Sequence, residues 1–201
     1  MPHSEMFSED GFTVSRTVVG PLDNNVYLVV DDATGDSIIV DAADDASAVL
    51  DLANGTSVQA IVTTHGHWDH HQATHEVADH LDVPALLHPD DSDIAEKPFE
   101  PLRTGSLSIG ESRATVIQTP GHTPGSVCIA LPGVVLTGDT LFPGGPGATR
   151  FPYSDFGQII ASIEESLFAM PDETVVLPGH GDSTTIGTER PSLPAWIDRG
   201  W

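Results

Sequence analysis

The 201-residue chain has a single cysteine, Cys128, and a single lysine, Lys97. One cysteine excludes an intrachain disulfide and any paired-thiol redox motif. Its setting, SVCIAL, predicts a buried strand in which the thiol serves as a small hydrophobe rather than a nucleophile. Cationic side chains are scarce, with 7 Lys and Arg against 30 Asp and Glu and a net charge of −23. Such a field repels nucleic acid and anionic membrane surfaces, and no local basic patch offsets it. No apolar run approaches the roughly 20 residues that span a bilayer. The opening MPHSEMFSEDG lacks the basic segment and apolar stretch of a secretory signal. A cytoplasmic protein with a small-molecule substrate is therefore expected; nothing in the composition bears on oligomeric state. The length predicts one domain over 1–201. Gly 19 and Pro 16 fit a loop-rich globular fold and exclude coiled coil and collagen.

Strand-length apolar runs at 12–19, 26–30 and 37–40 open the chain, with DATG (32–35) as a hairpin turn. A short helix is predicted at 44–52, stopped by Gly55, then a buried strand at 58–63. A helix at 72–81, a strand at 84–87 and an acidic loop at 89–96 follow. Strands are expected again at 107–109, 114–118, 126–131 and 134–137, then a long helix at 156–170 and a strand at 174–177. The last fifteen residues predict one small helix packed on the body. This order, β-rich then αβ and repeated, favours two packed sheets with helices outside.

Ten histidines in 201 residues average about 0.4 per eight-residue window, yet THGHWDHH (64–71) holds four. The cluster directly follows a predicted buried strand, where open α/β architectures place ligand sites. His65 and His67 are two apart, which on extended backbone sends both imidazoles to one side. With Asp69 and His70 they offer the nitrogen and oxygen donors that a zinc-type ion takes. Three more strand-end loops each present one such donor between small residues: His122 in TPGHTPGS, Asp139 in LTGDTLF and His180 in LPGHGDS. Singly, each reads as a turn residue capping its own loop; together they make seven donors, enough for two metals. HEVADH (75–80) misses the helical H-E-x-x-H spacing because Asp79 stands where the second histidine belongs, so His75, Glu76 and His80 are expected on a solvated helix face. His3 is expected in a loose terminus and His88 as a cap at a strand end.

H-x-H-x-D-H followed in order by the TPGHTPGS, TGDTLF and PGHGDSTTIG segments resembles the metallo-β-lactamase superfamily, in particular its glyoxalase II-like (hydroxyacylglutathione hydrolase-like) branch. The resemblance implies an α/β architecture, an αβ/βα four-layer sandwich of two mixed sheets with helices outside. It also implies two divalent ions, zinc foremost with iron or manganese as substitutes. His65, His67 and His122 would hold the first ion, Asp69, His70 and His180 the second, and Asp139 would bridge. A metal-bridging hydroxide, with Asp69 and Asp139 as the catalytic carboxylates, would cleave a 2-hydroxyacyl thioester of a low-molecular-weight thiol. Two departures stand out. The chain ends soon after His180, without the C-terminal helical domain of longer relatives, and FPGGPGATRF (142–151) replaces a Gly-Cys-Gly segment, so the thiol carrier is open. Arg150, Phe151 and Tyr153 follow that Gly/Pro stretch and are expected to overhang the site, Arg150 meeting a substrate carboxylate. Thr64, Thr123 and Thr140 are candidates for orienting the ligands. Competing readings are a mononuclear iron persulfide dioxygenase using His65, His122 and Asp139, a lactonase, and a non-catalytic metal-binding protein.

Overall fold

A computed structural model describes residues 4–9 and 11–200. Seven strands pair in chain order: β1 (Ser4–Glu9), β2 (Phe12–Val19), β3 (Asn24–Asp31), β4 (Asp36–Val40), β5 (Ser57–Val62), β6 (Ala85–Leu87) and β7 (Glu100–Pro101). The first four are antiparallel; from β4 onward pairing is parallel. Helices α1 (Ala46–Ala53) and α2 (Thr74–Leu81) supply crossovers on the outer face, and α3 (Ser92–Ala95) precedes β7. The second sheet uses β8 (Gly105–Ile109), β9 (Ser112–Gln118), β10 (Val127–Leu131), β11 (Val134–Gly138), β14 (Val175–Pro178) and β15 (Thr184–Thr185). They pair in the order β15-β14-β11-β10-β9-β8, parallel only between β11 and β14. Between those two lie a small hairpin, β12 (Leu141–Phe142) with β13 (Gly145–Pro146), and helix α4 (Phe156–Ser162). Helices α5 (Ile186–Glu189) and α6 (Leu193–Arg199) close the described chain.

Period-2 alternation builds the layers. Tyr27, Val29, Ile38, Val40, Val127 and Ile129 point between the sheets. Their neighbours Val26, Leu28 and Ile39 pack under α1 and α2, while Cys128, Val135 and Val176 pack under α4 and α6. Because both faces of each central strand are covered, the strands read as continuous apolar runs. The result is the αβ/βα sandwich.

Several expectations shift in detail. Residues 4–9 form a strand rather than a loose start, and His3 lies outside the described residues. The acidic stretch 89–96 is helical: a 3-10 turn, Pro89–Asp91, runs into α3. His88 caps that turn rather than a strand end, its Nδ1 accepting from the Asp90 amide at 3.3 Å. The helix predicted to reach 170 passes from α4 into a π turn, Ile163–Leu167, where Phe168 N–H bonds Ile163 O at 2.8 Å, and stops. The C-terminal segment forms two short helices rather than one, with Trp196 buried on the outer core. Among the described residues no helix is long and apolar enough to cross a membrane.

Ile129, fully buried between the sheets, offers a direct measure of that layer. Ile129→Ala is expected to cost about 2–5 kcal/mol and Ile129→Val about 0.5–1.5 kcal/mol, read from urea midpoints at fixed metal concentration; equal midpoints for all three proteins would contradict the layering.

Candidate metal centre

The loops leaving β5, β9, β11 and β14 meet at one edge of the sandwich, and all seven predicted donors come together there. His67 Nδ1 lies 3.1 Å from His65 Nε2 and 2.9 Å from His122 Nε2. Asp69 Oδ2 lies 3.3 Å from His180 Nε2, which is 3.2 Å from His70 Nε2. Asp139 stands between the groups, Oδ1 3.4 Å from His70 Nε2 and Oδ2 3.6 Å from His122 Nε2. Donor atoms bound tetrahedrally to one zinc at about 2.0–2.1 Å sit about 3.3 Å apart, the size of these separations.

The second nitrogen of each imidazole is already engaged. His122 Nδ1 donates to Ala148 O at 2.7 Å, His180 Nδ1 to Leu22 O at 3.1 Å and His70 Nδ1 to Asp41 Oδ2 at 2.9 Å. His65 Nδ1 donates to Thr64 Oγ1 at 3.1 Å, whose own proton goes to Asp41 Oδ2 at 2.8 Å. His67 Nε2 meets Tyr153 Oη at 2.8 Å. In the neutral rings that an ion requires, five lone pairs would then face one another, those of His65 Nε2, His67 Nδ1, His122 Nε2, His70 Nε2 and His180 Nε2. Asp139 Oδ1 is likewise buried without a hydrogen-bond partner. An orphaned carboxylate oxygen among converging lone pairs is costly unless a cation satisfies them, so the donor set fits two divalent ions.

The cluster's own charges point the same way. Burial, then the neighbouring imidazoles, holds His65 well below its ordinary value, and burial with His122 takes His67 down to about 4. Burial also draws His70 down, but the Asp139 and Asp41 carboxylates outweigh it and leave the ring well above 6.5. For His180 burial is outweighed by the bond to Asp69, and the ring is raised. Burial would raise Asp69 and Asp139, yet the adjacent histidines hold both carboxyls low. The carboxylates of the second group thus favour positive charge at His70 and His180.

Three supports had no signature in the sequence. Asp41, at φ +58° after β4, takes the Thr64 amide at 2.7 Å as well as His70 and Thr64 Oγ1. Asp91, fully buried, accepts from Gly66 N, Gly125 N and Thr123 Oγ1 at 2.6–2.7 Å. Asn24 Nδ2 donates to Asp69 O at 2.9 Å and Oδ2 at 3.2 Å. Of the predicted threonines, Thr64 touches a ligand and Thr123 acts through Asp91, whereas Thr140 meets Thr119 at 2.9 Å instead. A Cβ at Gly179 would come within 2.6 Å of His70 and 2.7 Å of Asp139, so that position has to be glycine.

A cleft of about 850 Å³ opens over the donors, with Trp68, Phe142, Phe151 and Tyr153 in its walls. Arg150 is its one Lys or Arg, 5.4 Å over the Phe151 ring. Phe151 packs on His67, with centroids 4.7 Å apart. His71, four residues before His75, stays out of the cluster and bonds Gly66 O at 3.2 Å. Glu76 and His80 are exposed as expected, but His75 is half-buried against Phe99, centroids 5.0 Å apart. Cys128 is buried, which pushes its thiol up to about 11.

A sequence model described as the metallo-beta-lactamase superfamily matches residues 19–180. The chain belongs to that superfamily, a family of metal-dependent hydrolases. It is 38% identical to an uncharacterized protein of Mycobacterium leprae, over 85% of this chain and 92% of that one. It is 31% identical to the probable metallo-hydrolase YqgX of Bacillus subtilis (89% and 95% covered). It is also 29% identical to the hydroxyacylglutathione hydrolase GloC of Haemophilus influenzae (85% and 91%). Among solved structures it resembles TTHA1623 in a di-iron-bound form, TM-score 0.78 at 33% identity over 87% of this chain and 96% of that one. ETHE1 from Myxococcus xanthus gives TM-score 0.80 at 27% identity, covering 89% and 82%.

Asp41→Asn is expected to weaken zinc binding about 10–100-fold, measured by chelator competition. Because an ion competes with protons at His70 and His180, whose rings are both raised above their ordinary values, affinity should rise with pH; a pH-independent affinity between about 6 and 8 would contradict the assignment.

Proposed function

We propose that the protein hydrolyses thioesters, in particular the 2-hydroxyacyl ester of a low-molecular-weight thiol, with two divalent ions of which zinc is the first choice. The observation that carries this reading is the set of three overlapping three-residue donor groups, with Asp139 Oδ1 among them lacking a hydrogen-bond partner, beneath one cleft. The likeness to GloC over nearly its whole length supports the substrate class. His65, His67 and His122 would hold one ion, Asp69, His70 and His180 the other, and Asp139 would serve both. Ions so held would lower the pKa of water to about 7 and polarise a carbonyl, supplying a nucleophile without serine or cysteine.

The chain's own side chains do the rest. Trp68, Phe142, Phe151 and Tyr153 give the substrate apolar walls and limit bulk water. Arg150 at the rim pairs with a substrate carboxylate. Asp69, held low by its neighbours and oriented by Asn24, would be the carboxylate that accepts a proton beside the cleft. A second reading, the one-iron persulfide dioxygenase, draws on the likeness to ETHE1. It would engage only His65, His122 and Asp139 and give Asp69, His70 and His180 no work.

Purified protein is to be assayed against lactoyl esters of several small thiols, with metal content measured on the same sample. Two ions per chain with thioester cleavage are expected; one iron per chain with oxygen uptake on a persulfide overturns the reading. Asp69→Asn should lower kcat by about 10²–10⁴-fold, whereas Cys128→Ala should leave it unchanged.

A further inference from the structure

The outer side of the first donor group is held by one short segment. Ala148 O receives His122 Nδ1, Ser154 Oγ donates to His122 O at 2.7 Å, and the Asp155 amide donates to Gly121 O at 2.8 Å. In the same segment Tyr153 Oη lies 2.8 Å from His67 Nε2, and its ring stacks on Phe151, 5.6 Å between centroids and 8° between planes. Phe151 in turn covers the His67 ring. His65 differs, being fixed from within its own loop by Thr64.

His67 Nδ1 faces His65 and His122, so a neutral ring that offers Nδ1 as donor to an ion carries its proton on Nε2. That N–H then donates to Tyr153 Oη. The phenol's lone pair is used, and its own proton remains for an acceptor in the cleft that Tyr153 lines.

We propose that Tyr153 is a positioning residue for the first ion: it locks His67 in the tautomer and ring orientation that present Nδ1, and gives its own proton to an acceptor oxygen of the bound substrate. The first half needs only the donor geometry. The second half rests on the proposed hydrolysis and adds to it a substrate feature, an oxygen acceptor beside Tyr153 in the cleft. One hydroxyl would then link the ligand shell to the bound ester. Tyr153 is 38% exposed in a loop, so its hydroxyl contributes little to folding and can be removed without disturbing the ring stack.

Tyr153→Phe is the test. Two-step chelator competition should show one of the two zinc ions bound about tenfold more weakly and the other unchanged. The visible spectrum of the cobalt-loaded variant should shift, while the melting temperature of the metal-free variant matches that of the parent. KM for a cleaved thioester should rise severalfold. Equal affinity for both ions and an unshifted cobalt spectrum would overturn the positioning role; weakened affinity with unchanged KM would overturn the contact to substrate. If the parent binds two ions and cleaves no ester, the hydrolase reading falls, yet the affinity and cobalt comparisons still decide the role of Tyr153.

Discussion

Asp91 is a carboxylate sunk completely into the protein, and the donors that reach it come from both sheets. Gly66 sits between His65 and His67 in the loop after β5; Thr123 and Gly125 follow His122 in the loop after β9. A buried charge costs several kcal/mol unless every lone pair finds a partner. The arrangement that satisfies Asp91 is also the one that sets the two histidines of the first loop opposite the third. Both glycines are needed for this, since a Cβ at Gly66 would come 2.9 Å from Asp91 O and one at Gly125 2.8 Å from its carboxylate. Convergence of the first donor group is therefore a consequence of burying an acid.

In the second donor group it is His180 whose loop is fastened across the sheets. Asn25 in β3 takes up Pro178 O at 2.8 Å and Gly181 O at 3.0 Å, on either side of His180, and Tyr27 Oη adds a bond to Pro178 O at 2.7 Å. Asn24, one residue earlier, reaches Asp69 and lies 3.4 Å from His180. Asp41 closes the frame behind His70. The His180 loop is thus held by side chains of the other sheet and Asp69 and His70 by side chains of their own, which gives donors scattered from 65 to 180 a fixed mutual distance.

The central strands were legible because they are buried on both faces and so spell themselves as unbroken apolar runs. The two-residue ladders β7, β12, β13 and β15 bury too little to leave any pattern. The donors were legible because histidine is rare and its spacing unusual. Asp41, Asp91 and Asn24 were not: one acid among thirty acquires its role only from the amides and hydroxyls that fold against it. The 3-10 turn and α3 at 89–96 went unread for the same reason, since their purpose is to carry Asp91 inward. His75 was misplaced because Phe99, which covers it, lies 24 residues away in the chain.

Cys128 has a consequence for what can stay in the cleft. Its sulfur is sealed beneath α4, packed against Thr119, and too weakly acidic to ionise near neutrality. Mixed disulfides form only when a thiolate can reach its counterpart. A thiol or disulfide that enters the cleft therefore finds no cysteine of this chain to bond, and the donor groups stand apart from mixed-disulfide chemistry.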